Sequence, residues 1–258
     1  MMKELYSYRE LLLSNIKKNI RGKYKASFLG ILWSFVNPLL QVLVYAIVFP
    51  YLLRNTGDNY LIYLVTGIIP WTFFSSVITE CVGCIKNNSG IIKKVYFPRI
   101  ILPLSTVISG LINFFISCII VLLFCIFSGV GISWHIIFVP AIAIIQGVFS
   151  LGIGLILGAC DAYLQDLEYI TTFILQMAFY GTPVIYQLDT ISNATSLIAI
   201  LVHLNPMTTI MQAYRDSFLY HQVPELNSLF IVAIVSLVVL AIGVLVFKKL
   251  EKGFAEQF

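Results

Sequence analysis

The chain has 258 residues, of which 59% are hydrophobic and only 11% charged, against roughly 45–50% and about 25% in soluble globular proteins. A mean hydropathy of +0.94 is too high to hide inside one small core, which excludes an ordinary soluble enzyme and makes lipid the solvent for much of the surface. The 16 Lys and Arg against 12 Asp and Glu form no cluster on a polar folded face, so nucleic acid is excluded as a partner too.

Residues 1–29 are too polar to insert, yet they are periodic. Leu5, Tyr8, Leu12, Ile16 and Ile20 fall within one third of a helical wheel, with Lys3, Glu10, Ser14, Lys18, Arg21 and Lys25 opposite. This pattern predicts an amphipathic helix in the membrane interface, its cations at the headgroups, serving as an anchor or as a gate for an amphiphilic substrate. Six apolar runs follow, each near the ~20 residues that a membrane-spanning helix needs, over residues 30–53, 60–79, 101–127, 136–159, 169–186 and 226–247. They show no period-two alternation, so they read as helices and not as barrel strands. The fold class is an all-α integral membrane protein with six transmembrane helices, its permeation domain running over residues 30–258.

The first run carries a polar and aromatic stripe at spacing four, Trp33, Asn37, Gln41 and Tyr45, with Pro38 beside it. In the second, Trp71, Phe73 and Phe74 read as packing or interface aromatics. The following loop mixes the basic pair Lys93 and Lys94 with Ile91, Ile92, Val95, Tyr96 and Phe97 before Pro98, a plausible plug for a groove on a soluble partner or a loop that sets topology. Stripes Ser105, Ser109, Asn113, Ser117 and Gln146, Ser150, Gly154, Gly158 on the third and fourth runs read as helix packing, with the two spans forming an antiparallel hairpin. The turn after them is acidic, with Asp161, Asp166 and Glu168. A stripe of Thr172, Gln176, Tyr180 and Pro183 on the fifth run matches the first chemically, and both fit either helix packing or a surface along which a sugar-bearing or phosphate-bearing chain slides.

The stretch 187–224 is the longest outside the spans. Its SLIAILVHL piece is apolar but short, and NPMTTIMQAYRDSFL has helical spacing of Met207, Ile210, Met211 and Tyr214, so two short helices dipping back toward the membrane are predicted. The sequon Asn193-Ala-Thr195 reads as chance. Five cysteines lie mostly in apolar runs and read as buried hydrophobes; Cys81 and Cys84 form a lone CxxC without a second pair, so no metal site is predicted.

Lys and Arg set the orientation. With the N-terminus inside, seven precede the first span, four lie in the loop after the second and three follow the last, while only Arg54 and Arg215 fall outside. Both termini are therefore placed in the cytoplasm, with the first span retained as an anchor. The six span cores hold no Lys, Arg, Asp, Glu or His, which argues against an ion-coupled carrier or pump. There is no G-x-x-x-x-G-K-[ST] loop, so energy has to come from another chain. The acids of the turn have no His near them, which disfavours a lipid-handling enzyme.

The segments KYKASFLGILWSFVNPLLQ, GIIPWTFF, IIKKVYFPRIILPLS, FYGTPVIY and LNPMTTIMQAYRDSF, in this order, resemble the permease subunit of ATP-binding-cassette exporters of bacterial surface polysaccharides, of the O-antigen, capsular, teichoic-acid and rhamnan type. The resemblance runs from about residue 5 to the end. It implies a homodimer in the bacterial cytoplasmic membrane, joined to two copies of an ATPase that binds ATP and Mg, with no cofactor in this chain. It makes residues 91–99 the coupling helix (Ile91, Ile92, Lys93, Lys94, Tyr96, Phe97, Pro98 and Arg99) and residues 5–25 the gate helix. The substrate channel would run past Trp33, Asn37, Gln41, Tyr45, Gln176 and Tyr180, and an external gate would hold Asn205, Pro206, Tyr214 and Arg215. The cargo would be a lipid-linked polysaccharide or polyol-phosphate polymer; an exporter of drugs or small lipids, the alternative, would have a drier channel. One departure is Gln165, where the family commonly has arginine before the acid.

Overall fold

The computed structural model of the chain describes residues 6–22, 33–53, 59–164, 166–187 and 196–254. Among them ten α-helices follow one another, and there is no strand: α1 Arg9–Gly22, α2 Trp33–Leu53, α3 Tyr60–Val82, α4 Ser89–Ile92, α5 Ile101–Phe127, α6 Val139–Asp161, α7 Leu167–Tyr180, α8 Ser196–Leu204, α9 Pro206–Phe218 and α10 Leu226–Leu250. Four are long and apolar enough to cross a membrane: α3, α5, α6 with the 3-10 turn before it, and α10 with the turn after it. α2 has 21 residues, about 30 Å at 1.5 Å per residue.

α3 is the central helix. Of its most apolar 18-residue window 78% is buried inside the protein, against 22% for α10, which leaves α10 to face lipid. Contacts order the helices around α3. The Phe73 ring lies tilted against Phe114 at 5.2 Å while Cys81 lies by the Pro103 carbonyl, so α5 runs antiparallel to α3. Phe74 meets Phe149 at 6.0 Å and Cys81 lies beside Gly154 and Gly158, so α6 runs parallel to it. Gln146 secures that pair, its Nε2 donating to the Pro70 carbonyl at 2.9 Å. The stripe of Gln146, Ser150, Gly154 and Gly158 is wholly buried, which makes it packing, as read from sequence.

Two expectations are corrected. The fifth apolar run, 169–186, is not one helix: α7 ends at Tyr180, and residues 181–187 are non-helical. Gly181 closes the helix and Pro183, which lacks an N–H and biases Thr182 away from helical dihedrals, prevents a restart. The expected α5–α6 antiparallel hairpin is present, with Leu111 against Gly147, though α6 packs most extensively on α10. Gly152 explains it, because a Cβ there would stand 2.7 Å from the Leu240 nitrogen, so the two backbones touch. Finally, the apolar stripe of α1 does not await lipid. α1 lies against α5, with Ile16 buried and Tyr8 and Leu11 resting on a second cluster built from Cys84, Ile92, Phe97, Leu155, Phe247 and Phe254. Leu5, the first member of that stripe, lies outside the described residues.

Four cysteines are buried, Cys160 is half-buried, and all five are free; among the described residues no group of three or more metal-capable side chains occurs. Gly243 faces the Gly152 carbonyl directly. Replacing Gly243 by valine forces α6 and α10 apart and should destabilise the purified protein by about 1–3 kcal/mol, read as a lower thermal unfolding midpoint in detergent; an unchanged midpoint contradicts this packing.

Candidate functional site

Two cavities open along α3. The larger, about 640 Å³, lies between α2, α3 and α7 and is lined by Gln41 and Tyr45 from α2, by Thr172, Gln176 and Tyr180 from α7, and by Trp71, Ser75, Ser76, Thr79 and Glu80 from α3. Gln41 and Tyr45 of the first-run stripe and Thr172, Gln176 and Tyr180 of the fifth-run stripe therefore meet in one groove. The smaller, about 430 Å³, lies between α2, α3 and α5; Trp33 and Asn37 line it together with Thr72, Ser76, Glu80, Asn113 and Ser117. Tyr180 is 67% exposed and Trp33 37%, so their rings remain available for stacking. Tyr45 and Trp71 both approach Phe179, at 6.0 and 5.7 Å, which fixes the aromatic floor. All six predicted channel residues thus line cavities. Two of the third-run stripe, Asn113 and Ser117, do so as well, whereas Ser105 and Ser109 are buried and donate to carbonyls of their own helix.

α3 supplies what the sequence reading missed. Thr72, Ser76 and Glu80 repeat at spacing four, the same signal used on the other spans, but the apolar run was closed at Thr79 and the acid left outside. In the structure α3 continues to Val82, so Glu80 sits half-buried in the walls of both cavities.

At the other end of α3, the non-helical residues after α7 are held by side chains. The carbonyls of Ile185 and Tyr186 accept from the hydroxyls of Tyr60 and Tyr63 at 3.0 and 2.6 Å, and that of Val184 accepts from Arg215 Nη2 at 3.0 Å. Non-helical backbone amid apolar helices is tolerated only when its polar groups are satisfied in this way. Arg215 is fully buried, with its Cζ 3.5 Å from the Tyr63 ring centroid and with Nε and Nη1 lacking hydrogen-bond partners. Burial pulls its pKa below the ordinary value, against the opposite influence of Tyr63, Tyr220 and Asp216. Burial likewise raises the Asp216 carboxyl, opposed by hydrogen bonds from Gln222 and Gln212.

The predicted external-gate residues converge on the same place. Asn205 caps α9, accepting from the Met207 N–H at 3.0 Å and donating to Thr182 Oγ1 at 2.9 Å; Pro206 occupies the first helical position, where its missing N–H costs nothing. Tyr214 is fully buried, its hydroxyl donating to Gln146 Oε1 at 2.9 Å. Tyr214 and Arg215 therefore anchor α9 on the bundle and are not exposed at an opening, and Arg215 is not a solvent-facing outer cation.

The basic loop is corrected in detail. Helix α4 covers only Ser89–Ile92, and Val95–Pro98 are not helical. Ile92 and Phe97, expected to face a partner, are 5% and 4% exposed and sit in the cluster beneath. Ile91, Lys93, Lys94, Val95 and, at 91%, Tyr96 are the outward residues. Pro98 is half-buried, and Arg99 turns back, donating to the Glu251 carbonyl and standing 5.7 Å from the Phe254 ring centroid. α1 braces the loop through Lys18 Nζ on Asn88 Oδ1 at 2.9 Å.

The sequence pattern of the ABC-2 type transporter membrane family matches residues 10–219. The chain belongs to that family. Among curated relatives of this ABC-2 transporter, the O-antigen export system permease protein RfbA of Myxococcus xanthus is 34% identical over 257 residues, covering 100% of this chain and 98% of its own length. The protein of that name from Klebsiella pneumoniae is 31% identical over 249 residues, covering 96% and 94%. The polysialic acid transport protein KpsM of Escherichia coli is 23% identical over 252 residues, covering 92% of each. The family match takes in the α2, α3 and α7 groove, the basic loop and all of α9. Gln165 and the Asn193 sequon lie outside the described residues.

In this ABC-2 transporter the knot at Gly67 is tight: a Cβ there would fall 2.7 Å from the Val184 oxygen and 2.9 Å from Arg215 Nη2. Gly67→Ala should lower stability by about 1–3 kcal/mol and Tyr63→Phe, which keeps the ring but loses one hydrogen bond, by about 1 kcal/mol. Thermal unfolding of the two variants in detergent checks the order; a neutral Gly67→Ala would contradict it.

Proposed function

We propose that the chain is the membrane-spanning permease subunit of an ATP-driven exporter that moves a lipid-linked polysaccharide or polyol-phosphate polymer outward across the cytoplasmic membrane. The meeting of Gln41 and Tyr45 of α2 with Thr172, Gln176 and Tyr180 of α7 in one groove, beside a second cavity at Trp33 and Asn37, carries this reading. Amide groups at Asn37, Gln41 and Gln176 hydrogen-bond hydroxyls, and the rings of Trp33, Tyr45 and Tyr180 offer faces to sugars. A drug or small-lipid exporter would need a drier wall. The names of the relatives support the same choice.

In this reading the six spans are α2, α3, α5, α6, α7 with its unwound end, and α10, with both termini cytoplasmic. Two copies pair so that α2 and α7 of each face a common channel. α8 and α9 form the external re-entrant segment, held to α3 and α7 by Asn205, Tyr214 and Arg215. α1 lies at the cytoplasmic headgroup level, where a lipid-linked substrate enters. The chain itself holds no cofactor; two copies of a separate ATPase bind ATP and Mg and drive the cycle.

The basic loop is the contact to that ATPase. Its outward residues, Tyr96 above all, are the docking surface, and the inward Ile92 and Phe97 seat the loop on the bundle. Tyr96→Asp should abolish permease-stimulated ATP hydrolysis in reconstituted vesicles while the permease remains folded, whereas Phe97→Asp should lower the yield of folded permease. Full stimulation by the Tyr96 variant removes the assignment. Alanine at Trp33 or Tyr45 should reduce ATP-dependent glycan export about tenfold, the scale of one aromatic contact, with assembly intact. If assembly fails instead, the stripe is packing and the groove reading falls.

A further inference from the structure

Asp161, the last residue of α6, is an acid that the groove and the basic loop leave unused. It is 2% exposed, and neither of its carboxylate oxygens has a hydrogen-bond partner. An ionised carboxylate buried without hydrogen bonds is among the most costly arrangements a protein can hold, and the C-terminus of a helix adds the negative end of its dipole. A buried acid left unmet in this way calls for a reason. The end of α3 brings a cation near it. Cys84 meets α6 at Gly158, where an added Cβ would stand 3.7 Å from the Cys84 Sγ; Asp161 follows Gly158 by about one turn, and Lys86 follows Cys84 by two residues. Lys86 and Glu168 are the charges whose fields reach Asp161, and Lys86 is the one of opposite sign. Its side chain is exposed, on the 3-10 turn Lys86–Asn88 that leads directly into α4 and the basic loop. Asn88 ties that turn to both neighbours, donating to the Cys84 carbonyl at 2.7 Å and accepting from Lys18 of α1 at 2.9 Å.

We propose that Asp161 and Lys86 form a switched ion pair, apart in this structure and closed when the basic loop is displaced, which makes Asp161 a positioning residue for coupling. Closing the pair replaces an unmet buried charge by a charged hydrogen bond. It therefore stabilises the displaced position of the turn and ties the end of α3 to the end of α6. The proposal rests on the reading above that a separate ATPase acts on the basic loop.

The test combines the complete exporter, permease with its ATPase in vesicles, with thermal unfolding of the full permease in detergent. Asp161→Asn removes the unmet charge, so its unfolding midpoint should equal or exceed that of the wild type, while permease-stimulated ATP hydrolysis should fall about tenfold or more, the scale of one charged hydrogen bond. Lys86→Gln should show the same loss with an unchanged midpoint, and Lys86→Arg should restore most of the stimulation. The double variant should be no worse than either single one, because a shared interaction is lost only once. Glu168→Gln should leave stimulation unchanged. A lowered midpoint or a loss of folded protein in Asp161→Asn makes the carboxylate structural and overturns the proposal. Full stimulation by Asp161→Asn, single losses that multiply in the double variant, a Lys86→Arg variant as poor as Lys86→Gln, or the same loss in Glu168→Gln overturns it too, with the ATPase contact left standing. If the wild-type permease does not stimulate hydrolysis, the ATPase reading itself falls and the ion pair with it.

Discussion

A guanidinium with no exposed surface, set among apolar helices, costs several kcal/mol unless its charge is met. Arg215 is met on one side by the Tyr63 ring and on another by the Val184 carbonyl, while Gly67 leaves the room for both. A desolvated cation over a tyrosine face is worth about 2 kcal/mol, and a charged hydrogen bond to a carbonyl about 1.5–3 kcal/mol. These contacts also do something a neutral side chain could not, since they hold the carbonyl of a backbone that has left its helix. α7 stops at Tyr180 because of Gly181 and Pro183, and the residues after it would expose unsatisfied carbonyls without Arg215, Tyr60 and Tyr63. The same arginine brings α9 down onto α3, so this end of the bundle, the unwound stretch of chain and the short helices form one unit.

The groove follows from that arrangement. α3 is the wall common to both cavities, and its position is fixed at one end by the Arg215 knot and along its length by α5 and α6, through Gly110 and through Gly154 and Gly158. Because α7 is short and its continuation is pinned to the first turns of α3, its Thr172, Gln176 and Tyr180 stripe is held opposite α2. Polar side chains that would be costly facing lipid face each other across a cavity instead. The central helix thus carries the buried cation's partner Tyr63 and the groove's carboxylate Glu80 more than four turns apart.

Much of this was legible at spacing four. Trp33 to Tyr45 and Thr172 to Tyr180 were readable as stripes because an α-helix puts i and i+4 on one face, but their chemistry alone left packing and a substrate path both open, and only Gln41 and Tyr45 share the α7 cavity. Glu80 escaped because hydropathy ends a span at the first charge, although the helix and its stripe continue past it. Arg215 was named for the external gate, but its burial escaped for the opposite reason: charge counting assigns a cation to a side of the membrane by its place in the sequence, whereas depth is decided by what packs around it. The loop after α3 has no helical period beyond Ile92, so nothing in the order KKVYFP told that Phe97 turns in and Tyr96 out. The pairing of α6 with α10 rests on Gly152 and Gly243, single small residues whose partner no pattern announces.

The inward turn of Phe97 makes the end of the molecule at the basic loop one mechanical piece. Phe97 and Ile92 share a cluster with Leu155 of α6 and Phe247 of α10, and Arg99 joins the loop to the carbonyl of Glu251 just beyond α10. α1 closes over it, with Lys18 on Asn88 and Leu11 on the cluster. A close-packed cluster of this kind has low compressibility and transmits displacement instead of absorbing it. A force applied at exposed Tyr96 therefore reaches α6 and α10 through Phe97, and reaches α1 through the same cluster. α3 meets α6 over Cys81 and Cys84 at Gly154 and Gly158, one turn from Glu80. The contact path from the loop to the groove is thus short and lies at one end of the bundle, far from the Arg215 knot. This geometry couples the loop to the near end of the groove more directly than to the end held by the Arg215 knot.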